Sequence, residues 1–355
     1  MAEALQYDVV IVGGGAAGIS TAASILRRAT HLSVAIVEPA DTHYYQPGWT
    51  MVGAGIFPAH STARSMASVM PKLATWIKAS VMALDPNNNA LDLSNGASIS
   101  YERLVVCPGL KLNWSGVEGL QETLGRNGVT SNYDYNTAPY TWDLVQNLKS
   151  GKALFTQPPM PIKCAGAPQK ALYLSADHWM RQGVIRNIDI GFYTSTPGLF
   201  GVAHYVPALM KYIEKYGAAL HFQHTLKKID SDIKVATFQN QAGELIESEF
   251  DMLHVCPPQC APEFIRQSPL ANAEGWVDVD PDTLQSNSFE NVWSLGDVIS
   301  APNAKTAAAA RAQAPVVATN LLSHAGKSSD LSHYNGYGSC PLTVERGKIV
   351  LAEFG

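Results

Sequence analysis

The feature that most constrains this chain is a glycine- and alanine-rich run near its start, Gly13-Gly14-Gly15-Ala16-Ala17-Gly18. It follows an apolar, β-branched segment, Tyr7 to Val12, and leads into the Ala-rich stretch Ala16 to Arg28. Strand, turn and helix are expected in that order. Ser33 to Val37 reads as a second strand and ends on Glu38, twenty positions after the last glycine. This is the pattern of a dinucleotide-binding βαβ unit. Gly13 and Gly15 permit a tight turn and the close approach of a pyrophosphate to backbone N–H groups, and Glu38 is placed to accept hydrogen bonds from an adenosine ribose. The alternative is a glycine turn that binds nothing, and strand, helix and acid falling together argue against it.

At 355 residues, 46% hydrophobic and 15% charged, the chain can bury one large core or two of medium size. A net charge of -5 with scattered Lys and Arg removes nucleic acid as a leading partner. No apolar run approaches the roughly 18 residues of a membrane-spanning helix. The start has no basic stretch followed by a long apolar region, so a cytosolic protein is expected. Cys107, Cys164, Cys256, Cys260 and Cys340 are too few for a disulfide-stapled scaffold. They include no C-x-x-C pair and no tight Cys/His cluster, so no structural metal is expected.

Val81 to Asp85, Ala90 to Leu93 and Arg103 to Cys107, which runs into Pro108-Gly109, read as strands completing the first α/β unit. From about Leu144 the alternation restarts: strand Ala153 to Thr156, helix Gln169 to Gln182, strand Ile188 to Thr194 and helix Phe200 to Tyr216. Leu220 to Phe222, Val235 to Phe238 and Met252 to Val255 suit strands. Trp293 to Leu295 ends on Gly296-Asp297, a helix is expected over Ala304 to Leu321, and a Ser/Gly/Tyr-rich connector leads to a last strand, Lys348 to Ala352. The expected fold class is α/β with two Rossmann-like domains. The first is discontinuous, 1–115 plus 288–328; the second, 116–287, is inserted; 329–355 begins a terminal segment.

Asn291-Val-Trp-Ser-Leu-Gly-Asp-Val298 resembles the late Gly-Asp motif of flavoproteins with two dinucleotide domains, in which the Asp contacts the flavin's ribityl or phosphate. That resemblance implies FAD in the first domain, with Gly296 and Asp297 against it; an N-cap role for Asp297 is compatible. The second unit carries no glycine fingerprint. Its turn reads Gln157-Pro-Pro-Met-Pro-Ile-Lys-Cys-Ala-Gly-Ala-Pro-Gln-Lys170, in which four prolines remove backbone donors and a lone Gly166 remains. A nicotinamide is therefore not the expected reductant. Cys164 stands there instead, beside Lys163 and Lys170 at a helix start, a setting that favours thiolate. Environment alone leaves two readings, a redox nucleophile and an inert buried thiol.

Pro161-Ile-Lys-Cys-Ala-Gly-Ala-Pro-Gln-Lys170 resembles the redox-cysteine motif of the sulfide:quinone oxidoreductases, in the branch with mitochondrial and related bacterial enzymes. His43-Tyr-Tyr-Gln-Pro-Gly-Trp-Thr-Met-Val-Gly-Ala-Gly55, Leu253-His-Val-Cys-Pro-Pro258, Gly275-Trp-Val-Asp-Val-Asp280, Lys305-Thr-Ala-Ala-Ala309 and Ser339-Cys-Pro-Leu342 agree. The resemblance implies that Cys164 and Cys340 are the redox pair, with Cys340 facing a cavity from its connector. Hydrosulfide then opens their bridge, leaving a persulfide and a thiolate. Two electrons pass through FAD to a quinone, and the sulfur goes to a small acceptor. It further implies that Ala16, Ala17, Glu38, Gln46, Val81 and Asp297 contact FAD, that Gly109 and Lys305 lie close, and that Pro47 shapes the flavin-facing loop. Peripheral contact with the cytoplasmic face of the inner membrane and a homo-oligomer are compatible expectations.

Cys256, where the family more often has Thr, and Cys260 depart from the pattern and read as structural. Family members continue past Ile349-Val-Leu-Ala-Glu-Phe354 into amphipathic helices that meet the membrane and help wall the quinone site. A chain stopping at Gly355 leaves quinone reduction open while keeping the sulfide half. Three alternatives stand beside this reading: a flavocytochrome c sulfide dehydrogenase-like flavoprotein, an NADH:quinone oxidoreductase, and a flavin redox sensor without turnover.

Overall fold

The computed structural model describes residues 5–302 and 305–355. The first βαβ unit is β1 (Leu5–Val12), α1 (Ala16–Leu26) and β2 (Val34–Val37). It grows into a seven-stranded sheet with β3 (Thr75–Ile77), β4 (Val81–Asp85), β5 (Ala90–Leu93) and β6 (Ser98–Val106). The order is β3-β2-β1-β6-β5-β4. Its left half is parallel, and β4 and β5 return antiparallel on β6. The all-apolar Val9 to Val12 is buried because a central parallel strand is covered on both faces.

The second unit repeats this plan. β7 (Val129–Thr130), α2 (Ala138–Asn147), β8 (Gly151–Gln157), α3 (Ala167–Arg181), β9 (Ile188–Thr194), α4 (Val206–Tyr216) and β10 (Ala219–Phe222) come first. An antiparallel three-stranded sheet follows, β11 (Thr225–Asp230), β12 (Val235–Gln239) and β13 (Leu245–Glu249), and then β14 (Met252–His254). The parallel sheet runs β7-β14-β8-β9-β10. The chain then returns to the first sheet, where β15 (Val292–Ser294) pairs parallel with β6. α5 (Ala307–His324) packs on α1, and the hairpin β16 (Gly338–Glu345) and β17 (Lys348–Phe354) closes the chain.

Several expectations change. The helix expected from Phe200 begins at Val206, after a 3-10 turn at Ala203–Tyr205. The helix expected from Ala304 begins at Ala307, and Ala304 itself lies outside the described residues. Its N-cap is Thr306, whose Oγ1 accepts from Ala309 N–H at 3.1 Å, so Asp297 is not the cap. The connector expected around Cys340 is a strand. Pro341 masked it, and it is tolerated because a two-stranded ribbon has a free edge that needs no donor. Cys340 is 2% exposed and belongs to the second core rather than to an open cavity wall.

Candidate active site

β8 ends at Gln157, and the proline-rich segment after it delivers Cys164 three residues ahead of α3. α3 packs against β16, and this contact between the middle and the end of the chain brings the sulfurs of Cys164 and Cys340 to 3.6 Å. Gly166 makes the approach possible: a Cβ there would stand 2.6 Å from Cys340 Sγ.

Lys170, on the first turn of α3 and 6% exposed, donates to Cys164 Sγ at 3.4 Å. S–H donation from Cys340 and then the Lys170 ammonium outweigh burial and hold the Cys164 thiol well below the usual thiol range. Cys340 moves up, because it donates to Cys164 and is itself buried. The pair is therefore polarised, with Cys164 the thiolate and Cys340 the thiol. Lys163, which the sequence places equally near, points elsewhere. Its Nζ bonds Gln46 Oε1 and sits over the rings of Trp49 at 5.8 Å and Tyr133 at 5.9 Å.

Of the expected cofactor residues, Gly13 to Ala17, Glu38, Gly109 and Gly296–Asp297 follow the C-terminal ends of β1, β2, β6 and β15. Gly13 has φ 107°, and a Cβ there would meet Cys107 O at 2.5 Å. Gly15 has open space beside it, Ala16 is exposed and Ala17 buried, and no side chain caps the helix they begin. Those free amides are what a pyrophosphate takes. Glu38 accepts from Gly14 N–H and Ala40 N–H, both at 2.8 Å, keeping lone pairs for a ribose. Gly109 is half-buried with open space beside it. Gln46 and Pro47 are exposed in a short 3-10 turn. Val81 differs: its side chain is buried in the first core, which leaves its backbone as the part able to reach a ligand.

Gly296 N–H donates to Gln313 Oε1 at 2.8 Å, which fixes the turn that presents Asp297. Among the described residues no donor bonds the Asp297 carboxyl, whose pKa burial raises against the pull of Lys163 and Lys305. A carboxyl left without a donor in this way is suited to a ligand hydroxyl, such as one of a ribityl chain. Lys305 Nζ lies 4.0 Å from the Trp276 ring centroid and donates to Asp297 O at 2.7 Å and Ile299 O at 3.0 Å. Burial lowers its pKa to about 8. Its own carbonyl accepts from Cys164 N–H at 2.8 Å, linking the two regions directly.

Cys107 and Cys256 are held as thiols. Burial pushes Cys256 up to about 12 and raises Cys107 further. His254 is fully buried, its Nε2 accepts from Asn132 N–H at 3.0 Å, and burial lowers its pKa to about 3, so it is uncharged at neutral pH with its one proton on Nδ1. Beside the first turn of α3, Leu199 is buried in the second core and its carbonyl accepts from the Gln169 side-chain amide. Sequence reasoning missed Tyr133, whose hydroxyl faces Lys163 O and Cys164 O, and Gln259, which accepts from Lys163 N–H. Neither stands in a motif.

Residues 7–154 match the family model described as pyridine nucleotide-disulphide oxidoreductase. The chain is 42% identical over 98% of its length to the mitochondrial sulfide:quinone oxidoreductase of Dictyostelium discoideum, covering 77% of it. Against the Mus musculus protein of the same name the identity is 39%, covering 98% of this chain and 78% of that one. The solved sulfide:quinone oxidoreductase of the hyperthermophilic bacterium Aquifex aeolicus superposes with a TM-score of 0.85 at 19% identity, covering 99% of this chain and 87% of that chain.

Proposed function

The chain belongs to the sulfide:quinone oxidoreductase family, and we propose that it oxidises hydrogen sulfide through Cys164 and Cys340 with FAD as its flavin and a quinone as electron acceptor. The observation that carries this reading is the polarised sulfur pair, 3.6 Å apart with Lys170 3.4 Å from Cys164.

In the oxidised protein the two sulfurs are bridged. Hydrosulfide attacks Cys340, the S–S bond breaks, Cys340 keeps the new sulfur as a persulfide, and Cys164 leaves as a thiolate. Lys170 favours that direction, because a leaving sulfur departs faster the lower its pKa. A small nucleophilic acceptor takes the outer sulfur and leaves Cys340 as a thiolate. Bound FAD would supply a two-electron acceptor for re-forming the bridge, with a quinone as its oxidant. Gly13, Gly15, Ala16 and Ala17 would hold its pyrophosphate, Glu38 its ribose, and Gly296 with Asp297 its ribityl chain; Gln46, Pro47, Gly109, Lys305 and the Val81 backbone complete the surround.

The proline-rich turn ahead of α3, which lacks a glycine fingerprint, disfavours an NADH-driven reading. Two of the relatives carry the name mitochondrial, and no helix among the described residues is long and apolar enough to cross a membrane. Both agree with peripheral association, which we propose as its location.

The test is anaerobic. Sulfide should bleach the bound flavin and ubiquinone should restore it, while Cys164→Ser should bind flavin normally and lose sulfide-driven bleaching. Bleaching at the normal rate in Cys164→Ser would remove the cysteine pair from the reaction.

A further inference from the structure

Cys164 has φ 51°, in the left-handed region that residues other than Gly, Asn and Asp seldom enter. A side chain there keeps its direction only where the surroundings over-determine the backbone. All four polar groups of the Lys163–Cys164 backbone are held. Lys163 N–H donates to Gln259 Oε1 at 2.6 Å, and Cys164 N–H donates to Lys305 O at 2.8 Å. Cys164 O accepts from Ala167 N–H at 2.8 Å. The Tyr133 hydroxyl donates to Lys163 O at 3.3 Å and lies 3.5 Å from Cys164 O.

Tyr133 is 4% exposed and packs with Ile162 and Cys256 beneath the turn. Gln259 Nε2 reaches Cys256 Sγ at 3.8 Å, so the three side chains form one row. Among the described residues neither Tyr133 nor Gln259 hydrogen-bonds a sulfur of the pair; both act on the backbone that aims one.

We propose that Tyr133 and Gln259 are positioning residues for the sulfur exchange, locking the Lys163–Cys164 turn so that Cys164 Sγ stays aimed at Cys340. This rests on the reading of Cys164 and Cys340 as the redox pair. Released from the lock, Cys164 relaxes to an ordinary backbone conformation and its sulfur swings away. The effective concentration of one sulfur at the other then falls, and with it the tendency to close the bridge.

The experiment measures that tendency in the holoenzyme. Wild type, Tyr133→Phe, Gln259→Leu and Gln259→Glu are equilibrated in glutathione buffers, where the bridge plus two glutathione thiols exchanges with the dithiol plus glutathione disulfide. Free thiols are trapped with iodoacetamide and the bridged fraction is read by mass. Tyr133→Phe and Gln259→Leu should each shift the equilibrium toward the dithiol by about tenfold. Gln259→Glu, which keeps an acceptor oxygen, should stay within about threefold of wild type. Melting of the dithiol forms should be unchanged. Lowered melting with an unmoved equilibrium overturns the proposal, as does an equal shift in Gln259→Glu and Gln259→Leu. Wild-type protein that forms no Cys164–Cys340 bridge in any buffer overturns the underlying reading instead.

Discussion

Lys170 is pulled two ways. Burial favours its neutral form, yet Cys164 and Cys340 raise its pKa above that of an ordinary lysine, so the ammonium persists in a nearly dry place. It stabilises charge on Cys164, and Cys164 stabilises charge on it. Lys170→Met should therefore raise the pH at which reduced Cys164 becomes reactive by at least about one unit. Iodoacetamide alkylation rates measured against pH check this, and an unmoved midpoint would attribute the lowering of Cys164 to the Cys340 hydrogen bond alone. Lys163 shows why sequence proximity misleads at this scale. It is one residue from Cys164, but the left-handed turn between them sends its ammonium to Gln46 and the faces of Trp49 and Tyr133.

At the scale of elements, the β16–β17 hairpin is the part that holds Cys340. Leu342, two residues on and on the same face, is fully buried in the second core. Leu342→Ala should lower the unfolding free energy by about 2–4 kcal/mol in urea titrations, through lost burial and the cavity left behind. This strand was hidden in the sequence because Pro341 and the flanking glycines broke its alternation. β1, α1, β2 and β9 were legible because continuous apolar runs and an Ala-rich stretch state their periods openly. The glycine turn and the proline-rich Cys164 turn were legible as motifs. Tyr133 and Gln259 were not, since each acts on a backbone that lies far from it in sequence, and only the packing of the second sheet reveals the meeting. Val81 was placed by resemblance, and its buried side chain shows what position alone cannot state, which part of a residue is available.

Across the whole molecule, buried His254 ties stability to pH. It is neutral in the folded state, with its pKa lowered to about 3, and free to protonate near its ordinary value once unfolded. Stability from this group is complete above pH ~6.5 and falls as acid is added, by up to about 1.4 kcal/mol per pH unit, until pH ~3. Urea titrations between those limits should show the decline, and His254→Gln should flatten it. The sulfur pair works on the same scale. Its members are 176 positions apart in the chain, so a bridge between them ties the polypeptide into a ring containing most of the second sheet and all of α5. By chain entropy such a ring disfavours the unfolded state by about 5 kcal/mol. The proposed cycle, in cutting and re-forming this bond, would also loosen and tighten the protein. On that proposal working molecules would be more perishable than idle ones, and an abundance of substrate would shorten the life of the catalyst that removes it.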